Sequence, residues 1–142
     1  MSSPLDNLVD GGSLHREAPD VAEYEGLIRS GRIRLEDADS PSNALESRFD
    51  LAYNASHALC LAALRRAGYR PANKRYVVFQ TLPHTLGLGP HVWRVLDLAH
   101  SRRNRGEYEG DLQITERLVS DLVLAARKVL KELDRRDALG DC

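Results

Sequence analysis

The stretch of this sequence richest in groups that could do chemistry is Ser101–Gly110, SRRNRGEYEG. A guanidinium group binds phosphate or carboxylate oxygens through two parallel hydrogen bonds, and amide and phenol groups add further donors and acceptors. The pattern therefore predicts an anion-binding site. Its candidate ligand-binding residues are Arg102, Arg103, Asn104, Arg105 and Tyr108. If the site is catalytic, the candidates are Arg103, Asn104 and Tyr108.

A purely structural interpretation of the same residues stays open. Arginines near a helix C-terminus complement the helix dipole and bind its last carbonyl groups. Asn104 would then end the helix, and Tyr108 would anchor the edge of the core through its ring. The competing interpretations differ in whether the arginines meet a ligand.

Metal and cofactor chemistry is not indicated by the sequence. His84, His91 and His100 lack the spacing of a zinc site, and no cysteine or acidic partner is placed with them. No glycine-rich phosphate loop occurs. We expect neither a metal nor a cofactor.

Composition indicates a soluble globular domain. The chain has 142 residues, of which 42% are hydrophobic and 29% are charged. Its two cysteines, Cys60 and Cys142, make no disulfide framework. The start of the sequence lacks the features of a signal peptide, and the longest uncharged run, Tyr76 to Trp93, contains prolines and glycines. We expect a cytoplasmic protein that does not enter a membrane.

Charge is distributed unevenly along the chain. Residues 1–50 contain five arginines and 11 acidic residues, a net charge of −6, whereas residues 51–142 contain 15 basic and 10 acidic residues, a net charge of +5. This asymmetry fits an acidic flank lying on a basic body, a basic body that meets an anionic ligand, or simply a solvated surface.

Helical periodicity dominates the sequence after residue 19. Residues 1–19 show no sustained period and are predicted to be a flexible arm. Five helices are predicted in residues 20–142: one capped by Asp20 and ended by Gly31, one opening at Ser40–Pro41 and ending before Gly68, one over 73–87 interrupted at Pro83, one over 90–105, and one over 112–133. The prediction is a single all-α domain, an up-and-down bundle of four to five helices.

This topology predicts a basic pole. If every predicted helix crosses the bundle, the end of the long helix lies beside the end of the fourth. Eight cations would then share one end of the bundle: Arg65, Arg66, Arg70, Lys74, Arg75, Arg102, Arg103 and Arg105.

The long helix and the arginine cluster together resemble a known family. The segment FDLAYNASHALCLAALRRAGYRP, followed by VVFQTLPHTLGL, a further helix and RRNRGEYEG, is similar to the HEPN domain (higher eukaryotes and prokaryotes nucleotide-binding). The resemblance covers about Pro41 to Leu133, and its acidic lead-in is similar to a bacterial subgroup. It implies a HEPN-like helical bundle and a homodimer, in many members part of a toxin–antitoxin, antiviral or RNA-processing system, in some paired with a nucleotidyltransferase.

The resemblance also implies which residues would act. Catalytic members are metal-independent ribonucleases that carry an arginine, a polar neighbour and, four to six residues later, a histidine. Arg103 and Asn104 match the first two, but Tyr108 stands where the histidine is expected. Tyrosine is a poor general base near neutral pH. We therefore expect a non-catalytic nucleotide- or RNA-binding module. The alternatives are a weak ribonuclease, in which Tyr108 or His100 replaces the base, and a helical protein–protein interaction module.

Overall fold

The fold is described from a computed structural model that covers residues 3–73, 75–109 and 114–138, and all of their side chains except those of residues 106–109. Seven helices and two short strands occur in these residues. In chain order they are α1 (Pro4–Asp10), β1 (Leu14–Arg16), α2 (Val21–Ala38), α3 (Leu45–Arg66), β2 (Tyr69–Pro71), α4 (Val77–Gln80), α5 (Leu82–Thr85), α6 (Pro90–Glu109) and α7 (Glu116–Ala138). The prediction of a helical fold is confirmed, with the addition of one small sheet.

Helices α3 and α7 run in the same direction. Near their first turns Arg48 donates to Glu116 at 3.3 Å, and near their last turns Arg66 Nε lies 3.4 Å from Asp137 Oδ1. Each pair joins equivalent ends of the two helices. The two ion pairs therefore fix the relative direction of the bundle's two longest helices.

Helices α2 and α6 are antiparallel to α3 and α7. Tyr24 near the start of α2 donates to Asp137 near the end of α7 at 2.7 Å. Arg136 donates to the backbone oxygens of Thr85 and Leu86, just before α6 begins. Because α6 starts beside the end of α7, it must run in the opposite direction. The four long helices thus alternate up and down. Alternation of the five predicted helices would make α6 parallel to α3, whereas the structure makes them antiparallel.

Helix α3 is the centre of the fold. It packs against α2, α7, α4, α5, α6 and β2. Large side chains fill one part of its surface, and Phe49, Tyr53, Leu59 and Leu64 are at most 1% exposed. The small residues between them are buried as well, which lets neighbouring helices approach from more than one side.

The N-terminal segment is an ordered part of the fold, contrary to the expectation of a flexible arm over residues 1–19. Helix α1 is capped by Ser3, whose side chain accepts from the backbone N–H of Asp6. Strand β1 pairs antiparallel with β2, with His15 opposite Arg70, and Leu14 is 1% exposed. The pairing partner lies more than 50 residues away in the sequence, and three-residue strands leave no readable alternation.

Helix α2 does not end at Gly31, as the sequence predicted, but continues to Ala38. Asp20 caps its start as expected, accepting from the backbone N–H of Glu23 at 3.1 Å. Gly31 is buried against Leu59 of α3, and a Cβ built on it would lie 2.6 Å from Leu59 Cδ2. The glycine therefore permits close contact between two helices and does not terminate one.

Helix α3 begins at Leu45, four residues later than the predicted start at Ser40–Pro41. The intervening residues close the end of α2 instead. Asn43 Nδ2 donates to the backbone oxygen of Asp37, and Arg48 Nε donates to that of Ala38. Ser40 bonds Ser42 through its hydroxyl group and does not act as a helix cap.

The third predicted helix is two single turns, α4 and α5, separated at Thr81. Pro83 lies in the first turn of α5, where its missing N–H costs nothing. The last predicted helix, over 112–133, is α7, which begins at Glu116 and continues to Ala138. Residues 112 and 113 lie outside the described residues. Its inward stripe, from Leu118 to Leu133, is buried as the periodicity indicated. Within the described residues, no helix is both long and apolar enough to span a membrane.

The contact between Gly31 and Leu59 predicts opposite effects of alanine at two glycines of α2. Gly31→Ala should lower the free energy of unfolding by roughly 1–3 kcal/mol, because the added methyl group overlaps Leu59. Gly26→Ala is the matched control: a Cβ there has no neighbour within 4 Å, and the substitution should raise stability by up to about 1 kcal/mol. Urea unfolding measures both, and stabilisation by both variants would show that the two helices are not in close contact.

Candidate anion-binding site

The arginine cluster predicted from the sequence lies within α6, since this helix continues past it to Glu109. The arginines are therefore not at the helix end, as the structural interpretation required. Arg102, Arg103 and Asn104 are half-buried, and Arg105 is exposed. The side chain of Tyr108 lies outside the described residues.

Arg103 shares one aromatic ring with a second cation. Its Cζ lies 5.0 Å from the ring centroid of Tyr53, and the Cζ of Arg75 lies 5.6 Å from the same point. The two guanidinium carbons are therefore at most 10.6 Å apart, the sum of these two distances. Each is attracted by the electron-rich face of an aromatic ring. Tyr53 thus brings together cations from two separate parts of the chain.

Arg75 is positioned by the helix that carries Tyr53. Its Nη2 donates to Asn54 Oδ1 at 3.0 Å, and Asn54 Nδ2 donates to the backbone oxygen of Asp50 at 2.9 Å. Arg75 itself is exposed. This guanidinium is therefore held at the edge of the bundle by a short chain of side-chain hydrogen bonds.

His100 joins Tyr53 to the predicted site. Its Nδ1 lies 2.9 Å from the Tyr53 hydroxyl oxygen, and its Nε2 lies 3.1 Å from the Asn104 amide nitrogen. The two hydrogen bonds occupy both ring nitrogens. Asn104 therefore acts within the structure by fixing an imidazole one helical turn before it.

A second tyrosine covers the other side of this histidine. The Tyr76 ring centroid lies 4.9 Å from that of His100, and the Tyr76 hydroxyl donates to Asp97 Oδ1 at 2.6 Å. Burial, together with this bond to a carboxylate, raises the pKa of Tyr76 to about 12. The phenol therefore stays protonated and keeps donating to Asp97.

Both histidines of this region are held neutral. Burial, followed by the charges of Arg75 and Arg103, lowers the pKa of His57 to about 4. Burial also lowers the pKa of His100, with Arg103 and Arg75 acting in the same direction and Asp97 against them. Burial is the larger cause of both shifts, and the two guanidinium groups add to it.

A cleft of about 320 Å³ opens beside Arg103. It is lined by that arginine and by residues of the first two turns of α3: Glu46, Ser47, Phe49 and Asp50. The cleft therefore combines one cation with two carboxylates and is not by itself an anion-binding site.

The predicted basic pole is wrong for three of its arginines. Arg65, Arg66 and Arg70 lie at or beyond the C-terminal end of α3, about 18 Å along the helix from Tyr53 for Arg65. They are at the opposite end of α6 from Arg103. The reason is that the segment over 73–87 does not cross the bundle. Helix α6 therefore runs antiparallel to α3 and ends near the start of α3, whereas the prediction had it end beside the C-terminal end of α3. Lys74 lies outside the described residues.

Those three arginines are also neutralised by carboxylates. Arg65 is 1% exposed and pairs with Glu23 at 2.5 Å, and Arg70 bonds both Glu17 and Glu23 at 2.7 Å. Arg66 pairs with Asp137. Glu17 and Glu23 of the acidic N-terminal half thus cover basic side chains at the end away from Arg103. Glu46 and Asp50 of the same half line the cleft beside Arg103.

Sequence analysis missed Tyr53 and Arg75 as parts of the site. Tyr53 was included only within the segment that carries the family resemblance, and Arg75 was grouped with arginines that lie elsewhere. One signal was present in the sequence, since His100, Arg103 and Asn104 fall three and four residues apart and so share one helix face. Among the described residues, no group of histidine, cysteine and acidic side chains is arranged to hold a metal ion.

Comparison of the chain with protein-family models, with curated proteins and with solved structures finds no match.

The neutral histidines predict a dependence of stability on pH. The pKa of His57 is lower in the folded chain than in the unfolded chain, about 4 against about 6.5, so the unfolded state binds more protons between these values. Stability from this residue is fully present above pH 6.5 and is lost as pH falls toward 4. We expect His57 to contribute about 1–2 kcal/mol to the change in the free energy of unfolding over this range, after allowance for the partial exposure of its ring. Urea unfolding at pH 7.5 and pH 5.0 should show a smaller difference in His57→Leu than in the native chain, and an unchanged difference would contradict the assignment.

Proposed function

We propose that this chain is a cytoplasmic, HEPN-like module that binds the phosphates of RNA or of a nucleotide and does not cleave them. The observation that supports the proposal is the convergence of Arg75 and Arg103 on one buried tyrosine ring. Two guanidinium groups at most 10.6 Å apart can contact one phosphate or two successive phosphates. Arg102 and Arg105, on the same helix, extend the surface in this proposal.

The neutral histidines support phosphate as the ligand class. After burial, repulsion by Arg75 and Arg103 also lowers the pKa of both histidines, and a phosphate beside these guanidinium groups would offset that repulsion. The half-buried position of Arg103 reduces screening by solvent, so its interaction with a phosphate is stronger than that of a fully exposed side chain. A single-stranded RNA, whose phosphates are accessible along its whole length, fits an open surface of this kind.

The proposal extends to partners through the family resemblance alone. A homodimer would place two such sites in one particle, and a nucleotidyltransferase or toxin–antitoxin partner would supply the biological context. The proposal of these partners rests on the residues that carry the resemblance, above all Arg103 and Asn104.

Binding should be lost when both arginines are removed. We expect Arg75→Ala/Arg103→Ala to weaken binding of an oligouridylate at least about tenfold, since hydrogen bonds to charged groups contribute roughly 1.5–3 kcal/mol each. The slope of log affinity against log salt should fall by about 1.4, or 0.7 for each phosphate released from contact. Fluorescence anisotropy titration at several salt concentrations measures both quantities.

The matched control for this experiment is Lys131→Ala/Arg135→Ala. It removes the same formal charge from exposed positions near the end of α7, away from Tyr53. It should retain affinity to within about twofold. Equal losses of affinity in the two double variants would show that only net charge matters, and would contradict the proposed site.

A weak ribonuclease is the second candidate, because His100 lies beside Asn104 and Arg103. For catalysis its ring would have to accept a proton from a ribose hydroxyl group. Both ring nitrogens instead bond Tyr53 and Asn104, which argues against this role.

We therefore expect no cleavage of a labelled RNA incubated with the chain in the presence of a chelator. Gel electrophoresis detects the products, with His100→Gln and Arg103→Ala as comparison variants. Cleavage by the native chain that both substitutions abolish would establish the ribonuclease in place of the binding module.

A further inference from the structure

His100 is held by two groups that can each donate or accept a hydrogen bond. In the neutral imidazole one ring nitrogen donates and the other accepts, and the hydroxyl of Tyr53 and the amide of Asn104 satisfy both. In the imidazolium both nitrogens donate. The Tyr53 oxygen can accept one of these bonds, and rotation of the Asn104 amide by half a turn presents Oδ1 to the other. His100 can therefore take up a proton without losing a hydrogen bond.

The charged and titratable side chains that face His100 come from three parts of the fold. Helix α3 contributes Tyr53 and His57, the turn before α4 contributes Arg75 and Tyr76, and α6 contributes Asp97 and Arg103. The two guanidinium groups oppose protonation of His100. Asp97 favours it, but the same carboxylate accepts a hydrogen bond from Tyr76. A neutral imidazole beside two cations is the state of the site without a ligand.

An anion at this site reverses the balance of charge. A phosphate that contacts Arg75 and Arg103 offsets their positive potential where it acts on the imidazole. We propose that a phosphodiester bound beside Arg75 and Arg103 is taken up together with a proton on His100, so that binding becomes tighter as pH falls. This inference rests on the proposed function, because it needs the anion to bind at that site.

The direction follows from linkage. If the bound anion raises the pKa of His100, the complex holds more protons than the free chain between the two pKa values, and affinity rises as pH falls through that interval. The pKa of His100 in the free chain is lowered by burial, so the rise in affinity starts at the higher pKa of the complex and is complete below the pKa of the free chain. One unit of pKa difference corresponds to about tenfold in affinity, and we expect about threefold to tenfold tighter binding at pH 5.5 than at pH 7.5.

His57 provides a matched control. Its ring lies in the same field of Arg75 and Arg103, but its described ring contact is a T-shaped one with Phe79, with ring centroids 6.0 Å apart. The apolar Phe79 ring lacks the oxygen and nitrogen acceptors that the two N–H groups of an imidazolium need. His57→Gln should therefore keep the pH dependence of binding, whereas His100→Gln should abolish it.

The experiment uses an oligouridylate without terminal phosphates, since neither its phosphodiesters nor its bases titrate between pH 5.5 and pH 7.5. Anisotropy titrations of the full chain, His57→Gln and His100→Gln are compared at the two pH values at constant ionic strength, with circular dichroism to confirm folding. Tighter binding at pH 5.5 in the native chain and in His57→Gln, but not in His100→Gln, supports the inference.

A direct readout covers the case in which His100→Gln fails to fold. Nuclear magnetic resonance of the imidazole carbon protons follows the titration of His100 in the native chain with and without the oligonucleotide. The midpoint should move to higher pH when the ligand is bound. Binding of the same affinity at both pH values, or an unmoved midpoint, overturns this inference and leaves the proposed function standing. Absence of binding at both pH values overturns the proposed function and the inference with it.

Discussion

The buried guanidinium of Arg65 is the interaction on which the arrangement of the chain depends. It bonds the carboxylate of Glu23 in α2, the backbone oxygens of Glu17 and Ala18 before that helix, and the backbone oxygen of Tyr69 in β2. A charge at 1% exposure is tolerated only when its hydrogen bonds are satisfied, and these partners supply them. One side chain thus joins the N-terminal segment, the first long helix and the strand that follows α3.

This junction also determines where the site lies. Because β1 and Arg65 hold the chain at β2, the next residues turn back along α3 and bring Arg75 to Asn54. Helix α6 then runs toward the start of α3 and brings Arg103 and His100 to Tyr53. The carboxylates of Glu17 and Glu23 are used at the other end of α3. The cations of the site and these two carboxylates are therefore separated along one helix.

Periodicity in the sequence was sufficient for the helical class, for the buried stripe of α7 and for the Asp20 cap, because each depends on residues close together in the chain. It was insufficient for β1, whose partner is distant, and for the span of residues 73–87, which are apolar enough for a helix but form two single turns around Thr81. That one error reversed the direction of α6 and produced the basic pole. The contact of both Arg75 and Arg103 with the Tyr53 ring could not be predicted, because it depends on the reversal of chain direction after β2.

The close approach at Gly31 has a consequence beyond packing. Gly31 and Glu23 lie on the same helix about 12 Å apart, so a rigid α2 transmits any displacement at one to the other. A side chain at position 31 would tilt the helix away from Leu59 and change how Glu23 meets Arg65. The absence of a single methyl group thus sets the alignment of a distant ion pair, and steric fit and electrostatics in this fold are mechanically coupled.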